Sequence, residues 1–216
     1  LTISMIRSTA FTLVTTMLPY YLIYQLGMKD EQSLVMVLML GTLAIFLVPC
    51  AKVAGLLGKA KTYALGLVIA CTALIVSFFL PHQQSFIIYI VAFVAGVGFS
   101  SQWVCPHSMM PDVIEYDELA TGERREGIYY GMNGMAGKVT GALGSAICGW
   151  GLKISGYVEG AEQTSTALFG IRGMFAVLPA FFLLICVPLL IRYPITRESH
   201  AKVVAELQAR REANEK

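Results

Sequence analysis

Lys138 is the residue whose position most clearly implies chemistry, because it is the one charged side chain between Gly127 and Leu152. That stretch is long enough to cross a bilayer as a helix. At ~1.5 Å of rise per residue, the lysine lies roughly 16 Å from the start of the stretch, too deep for its side chain to reach water. A charge at this depth costs about 2.5 to 3.5 kcal/mol and usually faces a cavity, an opposite charge or a substrate path. This position therefore indicates transport.

A second group of charged side chains lies between Pro106 and Glu126. Its acids are Asp112, Glu115, Asp117, Glu118, Glu123 and Glu126. Asp112 and Glu115 are three residues apart, so a helix would place both on one face. The basic residues that could pair with this region are Lys59, Lys61, Arg124 and Arg125. In a carrier, such pairs form a cytoplasmic gate that is closed in one conformation and broken in another. The alternative is a solvated loop, since exposed pairs contribute only about 0 to 1 kcal/mol each.

Other reactive side chains do not form the pattern of an enzyme. The five cysteines lie in or beside apolar stretches without short spacing, so neither a disulfide framework nor a metal site is indicated. The sequence has no metal-ligand spacing, nucleophile elbow or phosphate-binding loop. Its net charge of +2 is too small to indicate a nucleic acid partner. We therefore expect a protein that is not an enzyme and has no cofactor of its own.

The composition is that of an integral membrane protein, since 56% of the residues are hydrophobic and 14% are charged. Six apolar segments have the ~20 residues needed to cross ~30 Å of hydrocarbon. They run approximately over residues 8–26, 32–51, 62–80, 86–106, 127–152 and 173–191. Each is predicted to be a helix, because an open strand would leave backbone polar groups unpaired in lipid. The predicted fold is an all-α membrane protein, with a six-helix transmembrane bundle at residues 1–192 and a cytosolic amphipathic tail at residues 193–216.

The distribution of basic residues predicts the orientation of this bundle. The loops after the second and fourth segments, together with the tail, hold eleven lysines and arginines. The opposite loops hold three. By the positive-inside rule, the side with eleven faces the cytoplasm. The even number of segments then places both termini in the cytoplasm.

Small residues surround Lys138 on its own helix face. At 100° per residue, the neighbouring positions are Gly131, Gly134, Gly141, Ala142 and Ser145. Such a stripe often lets another helix approach closely. An ammonium suits a dry interface poorly, so we favour a water-filled or substrate-filled cavity. None of the fourteen acidic residues lies inside a predicted segment. The counter-charge of Lys138 is therefore either a substrate or a carboxylate from a polypeptide segment outside this sequence.

Several sequence runs identify a family. Residues 103–118 read WVCPHSMMPDVIEYDE, residues 122–127 read GERREG, and Lys138 follows. Residues 19–22 read PYYL, and residues 193–196 read YPIT. Together these runs resemble the glycoside-pentoside-hexuronide:cation symporters of the major facilitator superfamily, the group typified by melibiose permease. The resemblance extends over essentially the whole chain, and it matches the C-terminal half, helices seven to twelve of a twelve-helix carrier.

The resemblance implies roles for six residues in sugar binding. Lys138 corresponds to the helix-eleven lysine that faces the central cavity, and Trp103 corresponds to the helix-ten tryptophan of the sugar site. An indole can pack on a pyranose ring and donate a hydrogen bond. Gly134 and Gly137 lie where the family has helix-eleven cavity contacts, and the weaker polar candidates are Gln102 and Asn133. From the residues alone, Trp103 could instead be an interfacial anchor.

The resemblance also implies partners and a location. These are a sugar or glycoside, the lipid bilayer of the inner membrane, and an N-terminal six-helix half that holds the site for a coupling cation, Na⁺ or H⁺. The two halves would rock around a midplane site. One alternative is a carrier of another cargo, such as a lysophospholipid or a sulfonated sugar. Another is an autonomous six-helix module that self-associates without transport.

Overall fold

The computed structural model describes residues 2–82, 86–195 and 197–214, in which every regular element is a helix. The first five helices are α1 (Thr2–Tyr20), α2 (Gln32–Leu57), α3 (Lys59–Phe78), α4 (Ile87–Thr121) and α5 (Glu126–Ile154). A π-helical segment, Tyr21–Gln25, continues α1. The later helices are α6 (Ser165–Arg172), α7 (Leu178–Ile191) and α8 (Arg197–Asn214), with π-helical Gly173–Val177 joining α6 to α7.

Four helical stretches among the described residues are long and apolar enough to cross a membrane. They are α2, α3, α4 and the continuous run Ser165–Ile191. Arg7 and several threonines make α1 more polar, while Lys138 and many glycines do the same for α5. Helices with this length and composition identify an all-helical membrane protein.

Four predicted helix boundaries differ from the structure by six residues or more. We predicted a loop from Pro106 to Glu126, but α4 continues to Thr121 with both Pro106 and Pro111 inside it. The helix ends where Gly122 adopts a left-handed conformation with φ of 76° and its N–H donates to the Glu118 carbonyl at 2.8 Å. α1 begins at Thr2 rather than at residue 8 and so includes Arg7. α2 ends at Leu57 rather than at residue 51, and the last apolar run begins at Ser165 rather than at residue 173.

Glycines allow the helices to pack closely around α4, which lies between α2 and α3. A methyl group on Gly98 would lie 2.6 Å from the Ala70 backbone nitrogen in α3, and one on Gly96 would lie 2.5 Å from the Met39 carbonyl oxygen in α2. Both distances are too short for a side chain, so only glycine permits these approaches. α1 packs against α5 and α7, and α3 also packs against α7.

Different helices begin and end at the two ends of the bundle, which we call the tail end and the far end. The tail end is where α3 begins, α4 ends, α5 begins and α8 packs against α4. The far end is where α1 passes into its π-helical segment and α5 ends. Candidate functional residues lie at the tail end, at the far end and between them.

Candidate functional site

The face of α5 that carries Lys138 is open. Gly134, Gly137 and Lys138 are exposed, and Asn133 is half-buried. A methyl group on Gly131, Gly134, Gly137 or Gly141 would meet nothing within 4 Å. Lys138 has no ion pair or hydrogen bond to any residue that the structure describes. The small residues around it therefore do not form a close helix contact within the described chain.

The packed face of α5 is a different one. Its buried residues are Ala136, Thr140, Gly144, Cys148 and Leu152, which recur every four residues. Gly144 is the point of close approach to α1, since a methyl group there would lie 3.0 Å from the Thr12 side chain. This contact holds α5 against α1 and leaves Lys138 on the accessible side.

Contacts between helices show that Trp103 and Lys138 lie at a similar depth. Gly144 of α5 meets Thr12 of α1, and the neighbouring Phe11 ring packs edge-on against Phe99 of α4, with centroids 5.4 Å apart. From this level towards the tail end, Trp103 is one helical turn along α4, or about 6 Å. Lys138 is six residues along α5, or about 9 Å. The two side chains therefore differ in depth by only about 3 Å.

Trp103 and Gln102 have different environments although they are adjacent. The Trp103 side chain is 49% exposed and stacks on His107, with ring centroids 6.2 Å apart and an interplanar angle of 7°. Trp103 follows Phe99 by one turn, so it lies on the face of α4 that turns towards α1. Gln102 is 1% exposed, and neither of its amide atoms has a hydrogen-bond partner among the described residues. Gln102 thus lies in the bundle interior and not on the open surface with Trp103.

Arg7 is a second basic residue near this depth, and our sequence analysis missed it. It precedes Phe11 by one turn of α1, which places it close to the level of Trp103. Its Nε atom is buried without a hydrogen-bond partner among the described residues. The signal was present in the sequence, since an arginine stands directly before the apolar run that begins at residue 8.

At the tail end, Lys59 and Asp112 form an ion pair between α3 and α4. The Lys59 ammonium donates to both Asp112 carboxylate oxygens and to the Ser108 carbonyl, each at 2.7 Å. Asp112 is only 6% exposed, so its charge requires this partner. Nearby, burial and the Asp112 charge together raise the pKa of the Tyr193 phenol to about 12, so Tyr193 remains protonated at neutral pH.

Helix α8 adds a third element to this ion pair through His200, which our sequence analysis did not single out. The His200 Nε2 atom lies 2.6 Å from a Glu115 carboxylate oxygen and 3.4 Å from an Asp112 oxygen. Arg210 donates to the Leu119 carbonyl at 2.9 Å, and Val203 and Leu207 are buried. Helix α8 is therefore docked along the end of α4 by both polar and apolar contacts.

The other predicted gate residues are not part of this cluster. Arg124 pairs with Glu126 at 2.5 Å and with Glu118 at 3.7 Å, and Arg125 pairs with Glu123 at 3.0 Å. Hydrogen bonding to Glu126 raises the pKa of Arg124. These pairs lie in or beside the short connection to α5, where every one of their side chains except that of Glu118 is at least 41% exposed. Ion pairs between exposed side chains stabilise little. Lys61 and Asp117 form no ion pair within the described ranges.

Replacing His200 with alanine is expected to loosen α8 from α4, because it removes the hydrogen bond to Glu115 while the apolar contacts remain. A hydrogen bond to a charged group contributes about 1.5 to 3 kcal/mol, so amide exchange in α8 should accelerate about tenfold or more. Hydrogen exchange followed by mass spectrometry of the purified carrier measures this. Lys202→Ala, at an exposed position of α8, is the matched control. Equal exchange in both variants would mean that His200 does not hold the helix.

Comparisons with known proteins identify the family of this all-helical chain. A family model described as MFS/sugar transport protein matches residues 1–197. The chain belongs to this family. The family resemblance that the sequence runs predicted is thereby confirmed. Thr196, the last residue of one run that carried the resemblance, lies outside the described residues.

Three of the relatives are named as transporters. The chain is 36% identical over 212 residues to an uncharacterized symporter, sll1374, of Synechocystis sp., covering 95% of this chain and 39% of the relative. It is 26% identical over 159 residues to a glucuronide carrier protein homolog of Escherichia coli, covering 74% and 35%. It is 27% identical over 172 residues to a putative 2,3-dihydroxypropane-1-sulfonate exporter of Escherichia coli, covering 78% and 36%.

Two facts follow for this member of the MFS/sugar transport protein family. Its family is one of membrane transporters and not of enzymes, as the sequence predicted. It spans about two fifths of the length of the curated relatives it matches, with 39% for the symporter from Synechocystis and 43% for a second symporter, from Bacillus subtilis.

Proposed function

We propose that this chain is the C-terminal half of a cation-coupled symporter for sugars or glycosides. Residues 1–192 would form six transmembrane helices, with α6, its π-helical extension and α7 together as the last, and residues 193–216 would form a cytosolic tail. The tail end would face the cytoplasm of a bacterial inner membrane, with both termini there. An N-terminal half of six helices would complete the carrier, and transport would occur by rocking of the halves.

The observation that carries this proposal is the unpaired Lys138 on the open face of α5. A membrane-depth ammonium needs an anionic partner, and no described residue provides one. An accessible tryptophan lies at nearly the same depth, which suits a ligand with both an apolar ring face and polar groups. The open face would therefore turn to the cavity between the two halves. The coupling cation, Na⁺ or H⁺, would bind to carboxylates of the N-terminal half.

The names of two relatives favour an anionic, hydroxylated cargo. One is a glucuronide carrier homolog and the other is a putative exporter of a dihydroxypropane sulfonate. A glucuronide and this sulfonate share hydroxyl groups and one negative charge, which Lys138 would bind. We therefore favour a hexuronide over a neutral sugar, and a sulfonated polyol is the second candidate cargo.

The cluster of Lys59, Asp112, Glu115 and His200 would act as the cytoplasmic gate. It ties α3, α4 and α8 together at the tail end, about 9 Å or more beyond the depth of Lys138 by helix rise. Ion pairs in such a position can be made in one state of a carrier and broken in the other. The predicted contributions of Lys61, Asp117, Arg124 and Arg125 to this gate stay predictions.

Uptake by cells that express the intact gene tests the proposed function. The panel comprises labelled glucuronides, neutral glycosides and the dihydroxypropane sulfonate, each measured with and without Na⁺ and with and without a proton gradient. We expect uptake of a glucuronide that one of the two cations stimulates. Uptake of the sulfonate alone would favour the second cargo, and uptake of no compound would contradict both.

Replacing Trp103 with alanine is expected to weaken substrate binding about tenfold, because loss of aromatic packing and of an indole donor costs on the order of 1.4 kcal/mol. Titration of the purified carrier with the transported compound, followed by calorimetry, measures the dissociation constant. Trp150→Ala, near the far end of α5 and 68% exposed, is the matched control. An unchanged dissociation constant in Trp103→Ala would make Trp103 an interfacial anchor.

A further inference from the structure

A cavity of about 550 Å³ opens at the far end of the bundle, away from Trp103 and Lys138. The residues that line it are Thr15, Thr16, Pro19, Tyr20, Ile23, Tyr24, Tyr157 and Glu159. Tyr20 lies about 13 residues along α1 from the level of Lys138, which corresponds to roughly 20 Å. This cavity is thus separate from the predicted sugar site.

The end of α5 places Tyr157 firmly against α1. Gly156 has a left-handed φ of 77°, and its N–H donates to the Lys153 carbonyl at 3.2 Å. The Tyr157 N–H donates to the Leu152 carbonyl at 3.0 Å. These two bonds form a Schellman motif, in which glycine allows the chain to turn back over the helix end. Tyr157 is therefore held by backbone geometry and not by a flexible loop.

Three tyrosines meet in the cavity. The Tyr24 and Tyr157 hydroxyls lie 2.8 Å apart, and the Tyr157 ring packs edge-on against the rings of Tyr20 and Tyr24, with centroids 5.4 Å and 5.2 Å apart. In a pair of hydroxyls only one donates to the other, so the second O–H is free to donate to a ligand. Burial and the bond to Tyr24 raise the pKa of Tyr157, so its phenol stays protonated.

The cavity wall also carries hydrogen-bond acceptors. Pro19 has no N–H, so the Thr15 carbonyl one turn earlier lacks its usual helical donor. The π-helical segment Tyr21–Gln25 follows directly, and such segments often occur at functional sites. The Glu159 carboxylate lines the cavity and has no ion pair or hydrogen bond to any described residue. A free O–H donor, a carbonyl without its usual helical donor, a carboxylate without a described partner and aromatic rings thus line one space.

We propose that this cavity is an outer subsite that binds the hydroxylated ring of a sugar before it moves to the level of Lys138. A pyranose offers apolar C–H faces to aromatic rings and hydroxyls to both donors and acceptors. The Glu159 carboxylate accepts hydrogen bonds from ring hydroxyls but repels a second carboxylate. The subsite therefore binds a neutral glycoside at least as well as a glucuronide. The inference rests on the proposed function, because it requires a sugar carrier.

Protection of an introduced cysteine tests the subsite in the full-length carrier. Thr16→Cys would be labelled with a membrane-impermeant maleimide added to the far-end side of oriented vesicles, with and without methyl glucoside. The same protein without Thr16→Cys gives the background from the five native cysteines, of which Cys50 is partly exposed. We expect the sugar to slow labelling about fivefold. We also expect Lys138→Ala to leave this protection in place, since the subsite lies roughly 20 Å from Lys138.

Variants of the hydroxyl pair complete the test. In Tyr24→Phe and Tyr157→Phe, the sugar concentration that gives half-protection should rise about fivefold, as expected for the loss of one hydrogen bond. Tyr116→Phe, the same change at an exposed position of α4 near the tail end, should have no effect. Absence of protection, its loss in Lys138→Ala, or an unchanged half-protection concentration in both tyrosine variants would overturn the subsite. A wild-type carrier that takes up no sugar would instead overturn the proposed function, and the subsite with it.

Discussion

Replacing Lys138 with alanine is expected to lower substrate uptake at least a hundredfold without lowering the amount of carrier in the membrane. Lys138 makes no contact that stabilises the described bundle, because its face of α5 is open and the glycines beside it meet nothing. Its removal therefore should not damage packing. If it binds the charged group of the cargo or a carboxylate of the other half, a hydrogen-bonded charge pair is lost, which costs about 3 to 5 kcal/mol when buried.

Uptake of the labelled cargo, normalised to the carrier detected in the membrane, measures this effect. Lys52→Ala removes an exposed lysine of α2 that has no predicted role in the gate or the sugar site, and it should leave uptake within twofold of the wild type. Lys138→Arg separates charge from shape, because arginine keeps the charge but presents a planar group that fits differently. Partial uptake in Lys138→Arg would indicate that the charge matters most. Uptake in Lys138→Ala equal to that of Lys52→Ala would remove Lys138 from the mechanism.

The sequence predicted helices well because the membrane imposes one strong rule. Apolar runs of about 20 residues must form helices in lipid, and the observed helices coincide with each predicted segment over most of its length. The same rule does not predict where a helix ends once the chain has left the hydrocarbon. The end of α4 carries two prolines and four acids, a composition typical of a loop, yet contacts with Lys59 and α8 hold it as a helix.

The sequence was less informative about contacts between distant residues. Lys138 could be singled out because a charge at membrane depth is costly whichever way its helix packs. His200 could not be singled out, because the polar sequence of the tail does not show that this histidine contacts Glu115 and Asp112. The open and packed faces of α5 were also unresolved, because both are rich in small residues. The burial of Ala136, Thr140 and Gly144, together with the contact of Gly144 with Thr12, distinguishes the packed face from the face of Lys138.

Asp112→Asn is expected to shift the carrier about tenfold towards the conformation in which the tail end is open. The substitution removes the charge that accepts two bonds from Lys59 and faces His200, while it preserves size. The Lys59 side chain is 37% exposed, so water can solvate the ammonium once its partner is lost. The bundle should therefore remain folded, and the main effect should be on the equilibrium between the two conformations.

Thiol accessibility from each side of the membrane measures this shift, with single cysteines introduced at exposed positions near the tail end and near the far end. Glu123→Gln is the matched control, since Glu123 pairs with Arg125 only in the exposed connection to α5. If Asp112 acts through Lys59, then Lys59→Gln should give a similar shift and the double variant should add little to it. Full additivity would show that Asp112 acts through another group, and His200 is the one within reach at 3.4 Å. Comparing the conformational shifts of Asp112→Asn, Lys59→Gln and His200→Ala therefore decides between two gates. One is a lysine–aspartate pair between two membrane helices, and the other depends on the docking of α8.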